Sequence, residues 1–177
     1  MTSDNAPSAF TLPAALLSQG YLLRPETEDD IVFLMQLYAT TRMDELAQTG
    51  WSADQKWGFI AQQFELQRVH YRTHYTGTAF DVIEHEGLPA GRLYLQEVSG
   101  QLRIIDIVLM PEWRGKGVGT AILEALKDTG RKLGKDIDIF VEKFNPALAW
   151  YRRLGFQEFS DAEVYLEMRW SAATPAS

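Results

Sequence analysis

The residues with the clearest chemical potential lie in one stretch, 105–126, which reads IDIVLMPEWRGKGVGTAILEAL. An apolar run stops at Pro111. Arg114-Gly115-Lys116-Gly117-Val118-Gly119 then leads straight into a segment whose Val118, Ile122, Leu123 and Leu126 recur at helical spacing. Glycines at a helix start leave successive backbone N–H groups uncovered, and the helix dipole adds positive potential at the same place. Such a loop can cradle a pyrophosphate. It is not a Walker loop, because no GxxxxGK followed by Ser or Thr is present. It is also a poor dinucleotide fingerprint, because the third glycine position, counted from Gly115 or Gly117, holds Thr120 or Ile122.

Two further features carry chemistry. Asp106 stands inside the apolar run that precedes the loop. A carboxylate in a buried strand is either partnered, with Arg92 or Arg103 at hand, or keeps its proton to unusually high pH, as a general base near neutrality requires. The other feature is the segment NPALAWYRRLGF, residues 145–156, in which Asn145, Tyr151 and a Gly-Phe pair follow in order.

The pattern Arg114-x-x-Gly117-x-Gly119 resembles the donor loop of the GCN5-related N-acetyltransferases, and the 145–156 segment is similar to the family's late helix motif. The resemblance runs over roughly residues 21–170. It implies an acetyl-CoA-dependent acyltransferase in which acetyl-CoA is the co-substrate and no metal takes part. The backbone of Ile107, Val108 and Leu109 would pair with the pantetheine arm. The amides of Gly115, Lys116, Gly117, Val118, Gly119 and Thr120 would hold the pyrophosphate, with Arg114 shaping the loop. Asn145 would bond the pantetheine or place the following helix. Tyr151 would be the general acid for the departing sulfur; a thiol near pKa ~8.5 beside a phenol near ~10 makes that transfer feasible. The structural reading of Tyr151 is a core aromatic packed under Leu154 and Phe156. Asp106 is the candidate base or, alternatively, a partnered structural carboxylate.

On the acceptor side, Asp44, Glu45 and Trp51 fall where the family's acceptor loop lies, and Tyr94 belongs to a hairpin facing the central strand; all four are candidate acceptor contacts. The chain has no cysteine. An acetyl-cysteine intermediate is therefore impossible, and direct attack of a primary amine, on a small molecule or a peptide, is expected. The alternative is a non-catalytic CoA-binding sensor or interaction protein of the same fold.

Elements must position these groups. Residues 21–24 read as a strand ending at Pro25, and Thr27 with Asp30 resembles a capping box before a helix. Ser52 with Gln55 starts a second helix whose inner face is expected to hold Trp57, Ile60, Ala61, Phe64 and Tyr71. Phe80, Val82, Leu93 and Leu95 alternate about a turn at 84–87, and Ser99-Gly100 makes the next turn. Residues 102–110 are apolar on both faces, as a strand buried on both sides would be. The whole reads as one α/β layered domain. The resemblance implies a mixed, mostly antiparallel sheet of about six to seven strands flanked by about four helices. A loose N-terminal arm is expected over 1–20, the acetyltransferase domain over 21–170 and a frayed tail over 171–177.

Composition sets the outer bounds. The 177 residues suit one domain. Net charge is -7, with 6 basic against 13 acidic residues in 1–100 and 11 of each in 101–177. That balance speaks against a nucleic-acid grip, and the acidic half suits steering of a cationic amine. His70 and His74 stand four apart but lack the Glu of HExxH, so no metal is expected. No apolar run approaches membrane-spanning length. Location is expected to be cytoplasmic, with no membrane partner and a possible homodimer.

Overall fold

The computed structural model describes residues 5–173. The arm and tail expectations for residues 1–4 and 174–177 lie outside them. In chain order the helices are α1 (Ala14–Ser18), α2 (Ile31–Thr40), α3 (Met43–Ala47), α4 (Ala53–His74), α5 (Val118–Leu133) and α6 (Ala147–Arg153). The strands are β1 (Tyr21–Pro25), β2 (Thr78–His85), β3 (Leu88–Val98), β4 (Gln101–Leu109), β5 (Asp136–Glu142), β6 (Gln157–Ala162) and β7 (Tyr165–Trp170). They form one sheet in the order β1-β2-β3-β4-β5-β7-β6. Only β4 and β5 pair in parallel; the other neighbours are antiparallel. A mixed, mostly antiparallel α/β sheet is thus what forms. The two short helices α1 and α3 are additional to the four expected.

Local chemistry explains the boundaries. The Ser52 hydroxyl accepts from Gln55 N–H at 3.2 Å and the Gln55 side chain accepts from Ser52 N–H at 2.9 Å, so α4 starts on a full capping box. Thr27 N–H donates to Asp30 at 2.8 Å in the same way. Gly134, in the left-handed region at φ 64, ends α5.

The main core packs α1, α5 and α6 on one face of the sheet, around Leu93, Leu95, Ile104, Ile122, Leu126 and Phe156. A second core joins α2, α3 and α4 through Leu34, Tyr38, Leu46, Ile60 and Phe64. Two expectations change here. Phe10, Leu12 and Leu16 are buried in the main core, so the described part of the N-terminal arm is packed rather than loose. On α4, Ile60 and Phe64 are buried and Tyr71 is half-buried, but Trp57 and Ala61 are exposed, because the buried stripe continues to Gln67 rather than around the helix. No helix among the described residues is long and apolar enough to cross a membrane.

Strand β4 changes character halfway along. It pairs with β5 only over Gln101–Ile104, against Asp136–Ile139. On its other edge the register with β3 slips by one residue: Tyr94 faces Asp106 and Leu95 faces Ile104, leaving Ile105 as a bulge. A bulge bends its strand and raises its twist, and this one sits just where the β4–β5 ladder stops. Residues 105–109 are only half-buried as a result, which corrects the expectation of a strand buried along its whole length. The bulge also shifts the phase of the apolar alternation. Leu102 and Ile104 face the main core, and beyond the bulge Ile107 and Leu109 do so.

Candidate functional site

Two cavities open where β4 and β5 part. The larger, a groove of about 870 Å³, runs along the end of β4 and the start of α5. Its wall includes Ile107, Val108, Leu109, Arg114, Gly115, Gly117, Val118, Gly119, Thr120 and Asn145. Of the residues expected to contact the donor only Lys116 is not part of it; its ammonium lies 4.9 Å from the Trp113 ring centre. Gly115 and Gly117 have φ 70 and 81, a region that L side chains rarely adopt, and a Cβ at either would meet open space. They are required by backbone conformation, not by crowding. The first helical bond runs from Ala121 N–H to Gly117 carbonyl at 2.9 Å, so the amides of Val118, Gly119 and Thr120 precede any helical acceptor.

Arg114 ties this loop down. Its Nε donates to the Leu109 carbonyl at 2.8 Å and its Nη2 to Thr40 Oγ1 at 3.0 Å. Trp150, which no spacing in the sequence singles out, lies across the helix start: its Nε1 donates to Thr120 Oγ1 at 3.0 Å, and a Cβ at Gly119 would approach its ring to 3.3 Å. The Asn145 side chain accepts from Ala147 N–H at 2.9 Å and so places α6. Met110 N–H donates to the Ala90 carbonyl at 2.8 Å. Alternation along the register then turns the main chain of Val108 and Asp106 toward β3, and that of Ile107 and Leu109 toward the gap.

The second cavity is a chamber of about 240 Å³ on the α2–α4 side of the gap. Side chains of Tyr38, Arg42, Gln67, Tyr71, Glu142 and Tyr165 meet there with Arg92 and Asp106. Asp106 is partnered: Arg92 Nε donates to Asp106 Oδ2 at 3.0 Å and Arg92 Nη2 donates to the same oxygen. Arg92 is only 2% exposed, whereas Asp106 lines the chamber.

Tyr151 is in the wall of both cavities. Its ring packs on Trp150 and on Phe156, with centroids 4.9 and 5.8 Å away, so it is also the core aromatic that the sequence allowed. Burial, and then the nearby Asp106 charge, push its phenol above the ordinary value. Tyr71 is raised for the same two reasons in the same order. Both hydroxyls therefore hold their protons near neutrality.

The expected acceptor contacts divide. Asp44 and Glu45 line the groove rather than the chamber. Trp51 lines neither; it is exposed and packs edge-on against Phe59, 5.5 Å between centroids. Tyr94 lines neither as well. It is buried behind Arg92 and gives its hydroxyl to Glu26 at 2.5 Å. Position on the hairpin puts it near the strand, but the burial of Glu26 beside it claims its only donor. His70 and His74 stack on each other at 4.4 Å on α4, while His85 packs between Tyr21 and Trp113.

Comparison with known proteins agrees with this geometry. A family model described as an acetyltransferase (GNAT) domain matches residues 76–158, which hold β4, the glycine loop, Asn145 and Tyr151. An uncharacterized N-acetyltransferase of Methanocaldococcus jannaschii is 26% identical over 166 residues, 86% of this chain and 67% of that protein. A mycothiol acetyltransferase of Clavibacter sepedonicus is 36% identical over 86 residues, 48% of this chain but only 27% of its own length. In fold, the chain is similar to the PaiA N-acetyltransferase of Thermoplasma acidophilum solved with coenzyme A, with a TM-score of 0.63, 16% identity, and coverage of 85% of this chain and 98% of that one. Residues 76–158, a little under half of the chain, thus match the acetyltransferase (GNAT) domain, on a fold shared with solved N-acetyltransferases.

Proposed function

We propose that the protein is an acetyl-CoA-dependent N-acetyltransferase that passes acetyl directly to a primary amine of a small molecule or peptide. The observation that carries this reading is the place of Tyr151, a protonated phenol in the wall shared by the groove and the chamber. The groove fits a CoA donor. Its glycines leave open space and uncovered amides at the helix start for a pyrophosphate, and Ile107 presents its main chain, and Leu109 its N–H, to the gap as a strand edge would, the Leu109 carbonyl being held by Arg114. The coenzyme A bound by the Thermoplasma structure and the names of the curated relatives support the same donor.

In this mechanism the amine nitrogen attacks the thioester carbonyl carbon, the carbon–sulfur bond breaks, and Tyr151 gives its hydroxyl proton to the departing sulfur. The acceptor ammonium must lose one proton before it attacks and a second once the amide forms; Asp106, which lines the chamber, is the candidate to take the first, directly or through water, and the second restores the Tyr151 hydroxyl. Holding both reactants at one gap removes much of the entropic barrier. Release of CoA thiol from acetyl-CoA across a panel of primary amines, with Tyr151→Phe in parallel, tests the proposal. Amine-dependent release that Tyr151→Phe lowers sharply is expected. Tight acetyl-CoA binding without amine-dependent release would favour a sensor instead.

A further inference from the structure

The Arg92–Asp106 pair has a geometry that a merely structural salt bridge does not need. Both hydrogen bonds from Arg92 end on one carboxylate oxygen, Oδ2. Among the described residues, no hydrogen bond reaches Oδ1. A guanidinium can bind a carboxylate through both oxygens as a parallel fork; here it does not. The second direction of Arg92 Nη2 is taken by Gln67 Oε1 of α4 at 2.9 Å. Arg92 itself is 2% exposed, while the Asp106 side chain is 19% exposed and lines the chamber. Gln67 thus pulls the fork to one side from a rigid helix, and the bulge at Ile105 sets the carboxylate beside the gap.

We infer that Arg92 and Gln67 are positioning residues that hold Asp106 with one oxygen open to the chamber, where it receives the ammonium of the acceptor. This rests on the acetyltransferase reading for its biological use, though not for its chemistry. Arg92 pairs with Asp106 without consuming its outward oxygen, and an incoming primary ammonium replaces solvent there. Tyr71 and Tyr151, both protonated, face the same carboxylate from α4 and α6. They add hydrogen-bonding groups without adding charge. Arg42 and Glu142, both in the chamber wall and 3.7 Å apart, offset each other. Glu142 also meets its partner through one oxygen only, but its side chain is 40% exposed against 19% for Asp106, so Asp106 is the better shielded carboxylate with an oxygen free for a cation.

The test reads binding and turnover separately. Protein saturated with CoA and labelled with 13C at aspartate carboxyls is titrated with propylammonium chloride, the Asp106 resonance being assigned through its own backbone correlations. A saturable shift of that resonance is expected, with a dissociation constant at least tenfold higher in Arg92→Lys and in Gln67→Leu and acetyl-CoA affinity unchanged. Gln67→Leu touches neither charge, so it keeps the result readable should Arg92→Lys fail to fold. In turnover both variants raise the acceptor KM while leaving the acetyl-CoA KM alone. An Asp106 resonance that does not saturate, or that responds equally in wild type and Gln67→Leu, overturns the inference. Saturation without any acetyl transfer sinks the transferase reading and leaves this one standing.

Discussion

The groove and the chamber meet at Tyr151 but are built from different material. The groove is drawn from three stretches, the end of α2 with the start of α3, the end of β4 with the glycine loop, and the segment from the end of β5 into α6, and its cradle for an anion is main chain. The chamber is side chains brought from α2, α4, β3, β4, β5, α6 and β7. A backbone cradle depends on conformation, so most substitutions leave it intact and it suits a part of the reaction that never changes. A chamber of side chains can be rebuilt one residue at a time. The difference separates what such a fold must keep from what it can vary.

Substitutions in each region put that contrast at risk, and the largest effect belongs to the shared residue. Tyr151→Phe keeps the ring and its packing but removes the proton, so kcat is expected to fall by about 10²–10⁴ with the acetyl-CoA KM little changed. Steady-state kinetics decide it, and an unchanged kcat would return Tyr151 to the core. Next comes the cradle: Gly117→Val forces a β-branched residue into φ 81, which at about 1–3 kcal/mol of strain predicts an acetyl-CoA affinity lower by about tenfold to a hundredfold. Calorimetry should find propylammonium binding at Asp106 unaffected in the same variant.

A smaller loss is expected from Arg114→Ala, which frees the loop from Leu109 and Thr40; about tenfold in acetyl-CoA KM corresponds to one such charged hydrogen bond. The last prediction is a control away from both cavities. Asp81 on β2 is buried, and burial together with the Glu26 charge pushes its carboxyl up to about 6. A folded-state value above the unfolded one adds stability at low pH, fully present below about 4 and lost as pH rises through about 6. Asp81→Asn should therefore stabilise the protein by about 1–3 kcal/mol at pH 7.5, with the gain vanishing toward pH 4 in thermal melts. Neither ligand's affinity should move.

The same contrast governs what the residues alone reveal. The cradle is legible because glycine spacing reports backbone conformation directly, and Arg114, Gly117 and Gly119 are neighbours in sequence. The order and type of most elements follow from caps such as Ser52 with Gln55 and from apolar periodicity. The chamber is not legible in this way. Gln67 and Tyr71 of α4 meet Arg92 and Tyr165 of the sheet only through helix packing and strand register, which no local pattern specifies. Tyr94 shows the cost of arguing from register without burial: it lies opposite Asp106, as a hairpin residue facing the central strand should, yet its hydroxyl belongs to Glu26. Trp51 is near the right loop but rests on Phe59. The run at 102–110 reads as apolar on both faces because the bulge changes the phase of alternation halfway along it.

That bulge makes chain length, rather than side-chain chemistry, the variable on which the gap depends. Every substitution at Ile105 leaves the count of residues between Ile104 and Asp106 unchanged, so the extra step in β4 survives any of them. Removing the residue would not: Tyr94 could still face Asp106 and Leu95 still face Ile104, now along an unbroken ladder. A straighter β4 would then be free to go on hydrogen-bonding β5 past Ile139. The gap at which the two proposed reactants would meet is in this sense one amino acid wide, and a three-nucleotide deletion could close it with every proposed catalytic group still in the chain.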